Sequence, residues 1–237
     1  MPLVYLVVRA LELDAATLVE LATRSRNLKL LGNTAALVAL VLAGGTLIAV
    51  PLAWLVTRTD MRGRRLVTWL AVTPLAVPGY VMAYALLGLG GYQGVMMRLF
   101  DVLVPRPSGL WGASAALTLY TFPYVFLNVR SALLGLDTSL EESARCLGLR
   151  PLQVARRVVL PQLRPALLAG WLVVALYVLG DFGAVALMRF ETFSFAIYTQ
   201  YTSAFDRSNA ALLSLMLLLI TTALVALELR LLGRRNY

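Results

Sequence analysis

The sequence AALVALVLAGGTLIAVPLAWLV, residues 35–56, runs for 22 positions without a charged side chain. A helix needs about 20 mostly apolar residues to cross the hydrocarbon core of a bilayer. Four further stretches are similarly long and apolar: residues 66–89, 110–129, 166–188 and 210–227. Strands of a membrane barrel need only about 9–11 residues and alternate in polarity. The runs therefore predict an all-α polytopic membrane protein with about five transmembrane helices.

The composition supports a membrane protein and excludes several other classes. Of the 237 residues, 60% are hydrophobic and 14% are charged, whereas a soluble domain carries about 25% charged residues. The chain has one cysteine and no histidine, which excludes a disulfide framework and a cysteine-based zinc site. Because the apolar runs hold no paired acids and no nucleophile with a base, we expect neither an intramembrane enzyme nor a metal site.

The basic residues predict the orientation of the chain. The net charge is +9, but the arginines lie between apolar runs, which favours a membrane protein over a nucleic-acid-binding one. Thirteen basic residues lie in the connections 57–65 and 130–165 and in the C-terminal tail, and eight lie elsewhere. Because basic loops stay in the cytoplasm, we expect the 130–165 loop and the C-terminus there, in a multi-pass protein of a bacterial inner (plasma) membrane.

The N-terminal segment, residues 1–33, is predicted to lie at the outer face. Residues 2–10 are apolar but too short to span a bilayer, so they could be the outer end of a sixth helix whose start is absent from this chain. Residues 11–33 read as a short helical or amphipathic segment. Its apolar side comprises Leu18, Leu21, Leu28 and Leu31. Residues 34–232 are then the transmembrane domain.

The 130–165 loop is patterned along much of its length. Thr138 or Ser139 can cap a helix start, and Ser139 with Glu142 fits a capping box. Gly148 suits a left-handed helix end, and Pro151 suits the first turn of a second helix. We therefore predict two short amphipathic helices, residues 138–160, stopped at Pro161. Their apolar side must be covered by lipid or by a partner protein.

The same loop resembles the signature of ABC importer permeases. That family's pattern is E-A-A-x3-G-x9-I-x-L-P, and this chain has Glu142, Ser143, Ala144, Gly148, Val158, Leu160 and Pro161 at the matching positions. Ser143 for alanine and Val158 for isoleucine are the two departures. The resemblance implies the type I transmembrane fold of these importers. It also implies that residues 138–160, including Leu147, are coupling helices seated in a groove of a separate ATPase subunit.

Two interpretations remain open for the polar residues of this loop. Glu142 could act only as a helix cap, or it could cap the helix and also contact the ATPase. The arginines of the loop satisfy the positive-inside rule by themselves. They could therefore serve topology alone, or they could contact the partner protein or anionic lipid. The residues concerned are Arg145, Arg150, Arg156 and Arg157.

A narrower resemblance covers most of the chain. The sequences LGDFGAVA at 179–186, TF at 192–193, AIYTQY at 196–201 and VPLAWLVTRTD at 50–60 are similar to the ferric-iron subfamily of these permeases. That subfamily has two such halves fused in one chain, and the match is to the first half. The resemblance implies half of a permease, with ferric iron as substrate. Another small ion, such as an inorganic anion, is the alternative.

Asp181 is the acid placed well inside a predicted span. A charge at such a depth costs roughly 2.5–3.5 kcal/mol on insertion scales and usually faces a cavity or a partner. One interpretation makes Asp181 a residue of the translocation pathway, with Tyr177 and the helix interruption at Pro78 and Gly79. In the other interpretation, Asp181 forms a hydrogen-bonded contact between helices. The prolines then only kink the helices for packing, and the tyrosines anchor the chain at the membrane interface.

The resemblance implies a non-catalytic permease subunit of a binding-protein-dependent importer. The chain has no G-x-x-x-x-G-K-[ST] loop, so ATP and Mg²⁺ belong to the partner ATPase and no cofactor is expected on this chain. The other expected partners are a second permease half, a periplasmic binding protein and membrane lipid. A secondary transporter driven by an ion gradient is the remaining alternative, but it would require a buried charged relay.

Overall fold

The computed structural model describes residues 24–202 and 207–233, and the regular elements within these ranges are helical. In chain order the helices are α1 Ser25–Arg58, α2 Arg64–Val72, α3 Gly79–Leu89, α4 Val95–Phe100, α5 Gly109–Gly135, α6 Thr138–Cys146, α7 Pro151–Val154, α8 Leu160–Gln162, α9 Arg164–Gly180, α10 Gly183–Leu187, α11 Phe193–Thr202 and α12 Arg207–Gly233. A 3₁₀ turn, Thr73–Ala76, joins α2 towards α3, and a π turn, Ala155–Val159, joins α7 to α8.

Helix α1 is longer than the apolar run that predicted it. It begins at Ser25 and continues through Pro51 to Arg58, so the predicted boundary between residues 33 and 34 falls inside one helix. Residues 25–33 include Leu28, Leu30 and Leu31, which favour a helix, and Leu30 is buried. The part of the predicted N-terminal segment before Arg24, with Leu18 and Leu21, lies outside the described residues.

The core of the molecule forms where α1 and α9 pack against α5. Helix α5 is the most buried of the long helices, with Leu117, Val125 and Phe126 fully enclosed. Small residues allow close approach on both sides. A methyl group on Gly44 of α1 would lie 3.1 Å from Thr118, and one on Gly170 of α9 would lie 3.2 Å from the Cα atom of Val125.

The second predicted span is strongly bent. The helices of residues 64–76 and Gly79–Leu89 meet at 102°, around Pro74 and Pro78. Proline lacks the N–H that would continue the helix, and Pro78 caps the start of α3 instead. Helix α5, in contrast, runs unbroken through Pro123, which is buried.

The fourth and fifth predicted spans have different ends from those expected. Residues 166–188 do not form one helix, because α9 ends at Gly180 and α10 starts at Gly183. Asp181 therefore lies in a helix break and not inside a helix. Helix α12 continues past residue 227 and includes Glu228, an acid within a membrane-length helix.

The described residues contain three helices long and apolar enough to cross a membrane, or up to five if each bent pair counts as one span. The prediction of about five agrees with the larger number. The two arginine-rich loops share one end of the bundle, where Arg58 and Glu141 form an ion pair. At the opposite end, the side-chain amide of Asn33 donates to the Glu191 carbonyl at 2.9 Å. The count of basic residues predicts that the 57–65 and 130–165 loops lie on the same side of the membrane, which agrees with their position at one end of the bundle.

Candidate functional site

Helix α6 begins with a cap that the sequence pattern did not identify. Asp137 is the N-cap, and its Oδ1 atom accepts the Ser139 N–H at 2.9 Å. This hydrogen bond lowers the pKa of the Asp137 carboxyl below its ordinary value. The predicted capping box of Ser139 with Glu142 is therefore wrong. Glu142 is exposed.

The corner between the two loop helices has the predicted geometry. Gly148 has a φ of 83°, in the left-handed region, and the Leu149 N–H donates back to the Ala144 carbonyl at 3.2 Å. Pro151 is the first residue of α7, as predicted. The predicted stop at Pro161 is wrong, however, because helical structure continues through it. The chain passes through the π turn and α8, and bends by 60° into α9.

The two loop helices have an inner and an outer apolar side. Ala144, Val154 and Val159 are buried, and Val159 belongs to the hydrophobic core of the bundle. Leu147 and Leu152 are 84% and 69% exposed, so the outer side has no cover within the described residues. The predicted coupling residues divide accordingly: Ala144 is buried, Val158 and Pro161 are half-buried, and Glu142, Ser143, Leu147, Gly148 and Leu160 are exposed.

An ion pair joins this loop to the membrane helices. Arg58 Nη2, at the end of α1, lies 2.8 Å from Glu141 Oε1, and both side chains are largely buried. Arg145 Nη2 approaches the other oxygen of Glu141 at 3.9 Å. The sequence analysis missed Glu141 because the motif begins at the next residue. The available signal was an acid four positions before Arg145 on a predicted helix.

Asp181 caps the short helix that follows it. Its Oδ2 atom accepts the N–H groups of Ala184 at 3.0 Å and Val185 at 3.4 Å, and its carbonyl accepts the Ser194 hydroxyl at 2.6 Å. The carboxylate thus satisfies the N–H groups that the break between α9 and α10 leaves free. The second carboxylate oxygen, Oδ1, faces Gly79.

The structure brings the four predicted pathway residues together. Gly79 follows Pro78, and a methyl group on Gly79 would lie 3.6 Å from both Asp181 Oδ1 and the ring of Tyr120. The Tyr120 hydroxyl donates to the Tyr177 hydroxyl at 2.7 Å. We call Pro78, Gly79, Tyr120, Tyr177 and Asp181 the break cluster. Tyr120 was missed because nothing local marks one tyrosine in an apolar run.

Tyr198 and Tyr201 lie outside the break cluster. Both are exposed and line an apolar groove of about 460 Å³ with Phe182, whose ring centroid is 4.3 Å from that of Tyr198. Within the described ranges, no three His, Cys, Asp or Glu side chains converge as a metal site. The break cluster offers one carboxylate and phenolic oxygens, which are hard donors. Glu228, also missed, is buried in α12 beside Trp171.

The helix break before α3 packs closely against the break between α9 and α10, so we expect substitution of Gly183 to lower stability. A Cβ atom on Gly183 would lie 2.8 Å from the Cβ atom of Tyr80, so Gly183→Ala must push α3 away from Asp181. We expect a loss of about 1–2 kcal/mol, as for other overpacked sites. Gly180→Ala is the matched control, because its Cβ would meet nothing within 4 Å. Thermal unfolding of the purified protein measures both, and equal midpoints would contradict the close contact.

The chain matches one family profile over most of its length. Residues 30–235 match the profile described as binding-protein-dependent transport system inner membrane component. The chain is 33% identical over 236 residues to the Fe(3+)-transport system permease protein FbpB 2 of Haemophilus influenzae, covering 100% of this chain and 44% of that protein.

Other relatives carry different substrate names. The chain is 33% identical to a probable molybdenum ABC transporter permease of Haloferax volcanii, over 65% of this chain and 57% of the relative. It is 37% identical to the sulfate permease CysT of Salmonella typhimurium, over 56% of this chain and 49% of the relative. The chain thus spans about half the length of these curated relatives.

A solved structure shares the fold. The bacterial alginate ABC transporter, in complex with its alginate pentasaccharide-bound periplasmic protein, contains a chain that superimposes with a TM-score of 0.76 at 16% identity. The superposition covers 98% of this chain and 88% of that one. At this identity the similarity describes the architecture of the helices, which agrees with the predicted type I transmembrane fold.

Proposed function

This chain belongs to the family of binding-protein-dependent transport system inner membrane components, and on that premise we propose that it is a permease subunit of an ATP-driven importer of ferric iron. Members of this family are non-catalytic permeases of ABC importers. The substrate would pass from a periplasmic binding protein into a cavity between two permease halves. ATP with Mg²⁺, bound by separate ATPase subunits, would shift the population between outward-open and inward-open states.

The shape of the 138–160 loop is the observation that carries the proposal. Its helices pack on each other through buried residues and leave Leu147 and Leu152 uncovered. Such a surface is suited to a hydrophobic groove in a partner, as in other helix-in-groove contacts. This arrangement fits the coupling role proposed for Glu142, Ser143, Ala144, Leu147, Gly148, Val158, Leu160 and Pro161. The loop and the C-terminus would face the cytoplasm of a bacterial inner membrane.

Ferric iron is favoured by the break cluster and by the relative that matches along the whole chain. Asp181 supplies a negative charge and the tyrosines supply phenolic oxygens, which suit a hard trivalent cation better than an anion. An inorganic oxyanion is the second candidate, because the molybdenum and sulfate permeases are similarly related over shorter stretches. The family assignment does not support the ion-gradient alternative.

Uptake by a reconstituted complex tests the proposal. Proteoliposomes would contain this chain, its ATPase, the second permease half and the binding protein, with ATP inside. We expect uptake of radiolabelled ferric iron that requires both ATP and the binding protein. Uptake of labelled molybdate or sulfate in place of iron would reject the substrate and retain the importer. Failure of every substrate to stimulate ATP hydrolysis would reject the importer.

Asp181→Asn separates a role in the pathway from a structural role. The asparagine side-chain oxygen can still accept from Ala184 and Val185, so the cap is kept while the charge is removed. If the charge assists a passing cation, we expect iron uptake to fall about tenfold at an unchanged thermal midpoint. The control is Asp181→Ala, which removes both the charge and the cap. Unchanged uptake in Asp181→Asn would leave Asp181 as a cap alone.

A further inference from the structure

We propose that the ion pair between Arg58 and Glu141 transmits movement of the coupling loop to the first membrane helix, α1. This inference rests on the proposed function, because it assumes that an ATPase moves the loop. Arg58 and Glu141 would then be positioning residues, which act on transport through the helices that they join and not by contact with the substrate.

The position of the pair supports this role. Arg58 is the last residue of α1, and Glu141 lies in the first turns of α6. The two side chains are 15% and 10% exposed, and Nη2 lies 2.8 Å from Oε1. Arg145, in contrast, is 61% exposed and its Nη2 lies 3.9 Å from Glu141 Oε2, so it is the weaker partner of Glu141.

The surrounding packing leaves the pair as the main link between the two helices. The closest helical neighbours of α6 are α7 and the π turn, which belong to the same loop. Residues of α6 and of the end of α1 line a groove of about 470 Å³. The charged residues that line this groove are Arg58, Asp60, Arg64, Glu141, Glu142 and Arg145. The pair therefore lies beside a groove whose lining is mainly polar and charged.

Helix α1 is well placed to carry a movement of the coupling loop into the membrane bundle. It packs along α5, which forms the core of the bundle, and its carbonyl end is favourable for a positive side chain such as that of Arg58. A largely buried charge pair resists separation, because each partner alone would be left uncompensated. A displacement of α6 by an ATPase would thus move α1 as well, because separating the two helices would break the ion pair.

Coupling between ATP hydrolysis and transport tests the inference. In the reconstituted complex we would measure ATPase activity with and without binding protein, and substrate uptake per ATP hydrolysed. Coupling between sites typically changes equilibria by about 5- to 150-fold. We expect Arg58→Gln and Glu141→Gln each to reduce binding-protein stimulation about tenfold, while the ATPase still co-purifies. Arg58→Lys keeps the charge and should retain most of the stimulation.

The control variant is Arg62→Gln, which removes an exposed arginine from the same loop. Full stimulation in both glutamine variants of the pair would overturn the inference. So would a loss of stimulation that only follows a loss of bound ATPase, because that result would give the pair a purely structural role.

A second measurement keeps the inference separate from the proposed function. A wild-type complex that no binding protein stimulates would argue against the function itself. Amide hydrogen exchange on the purified chain would then still test the pair. We expect faster exchange in residues 138–146 of Arg58→Gln than of Arg58→Lys. Equal exchange in the two variants would overturn the inference even without transport data.

Discussion

Gly148→Val is expected to weaken binding of the ATPase by about tenfold while membrane insertion stays intact. Gly148 has a φ of 83°, where a left-handed backbone costs an L-residue roughly 1–2 kcal/mol and a β-branched residue is especially disfavoured. A change of 1.4 kcal/mol corresponds to a factor of ten in an equilibrium constant. The corner between α6 and α7 would have to change, and with it the relative placement of Glu142, Leu147 and Leu152.

The matched control for this variant is Gly148→Asn. Asparagine tolerates the left-handed conformation, and the added side chain begins in open space in both variants, since a Cβ at this position meets nothing within 4 Å. Co-purification of the ATPase and membrane insertion would be measured in parallel. If both variants weaken ATPase binding equally, the cause is the size of the added side chain at the docking surface and not the backbone conformation. Unchanged binding in Gly148→Val would contradict the coupling role.

Gly170→Val is expected to have the largest effect on stability. A Cβ atom at Gly170 would lie 3.2 Å from the Cα of Val125 and 3.7 Å from the Cβ of Asn128. A valine adds two methyl groups beyond that position, so α9 must move away from the backbone of α5. Overpacking costs typically 1–3 kcal/mol, and we expect about 3 kcal/mol because the obstacle is backbone.

The measurement is the thermal midpoint of the detergent-purified protein. For a chain of this length, about 3 kcal/mol corresponds to a decrease of roughly 6–12 °C. Gly32→Val is the control, because Gly32 lies in the exposed part of α1 and a Cβ there meets nothing within 4 Å. A midpoint for Gly170→Val equal to that of the control would show that α5 and α9 do not pack as closely as described.

Several features could be predicted from the sequence because they depend on local properties. A run of apolar residues long enough to cross a bilayer must be helical, since no water is present to bind free backbone groups. The first, third and last helices follow from this rule, although their ends do not. Gly148 and Pro151 were predicted correctly because a left-handed corner and a first helical turn each restrict the backbone of a single residue.

Other features depend wholly or partly on contacts between residues that are distant in the sequence. Asp181 was assigned to the interior of a helix because the runs on both sides are uncharged, although the flanking Gly180 and Gly183 are weak helix formers. The Asp181 carboxylate caps α10 locally, whereas the Ser194 hydroxyl that donates to its carbonyl comes from the next helix, α11. Likewise, motif spacing selected Glu142 as the important acid of the loop, whereas packing buries Glu141 against Arg58.

One physical reason separates the features that could be predicted from the sequence from those that could not. The membrane class, the long helices and the corner of the coupling loop follow from burial and backbone preferences that each short stretch carries with it. The break cluster and the Arg58–Glu141 pair join residues that are far apart in the chain. Their existence depends on how α1, α3, α5 and α9 pack, and the energies of such contacts appear only when distant side chains exclude water together.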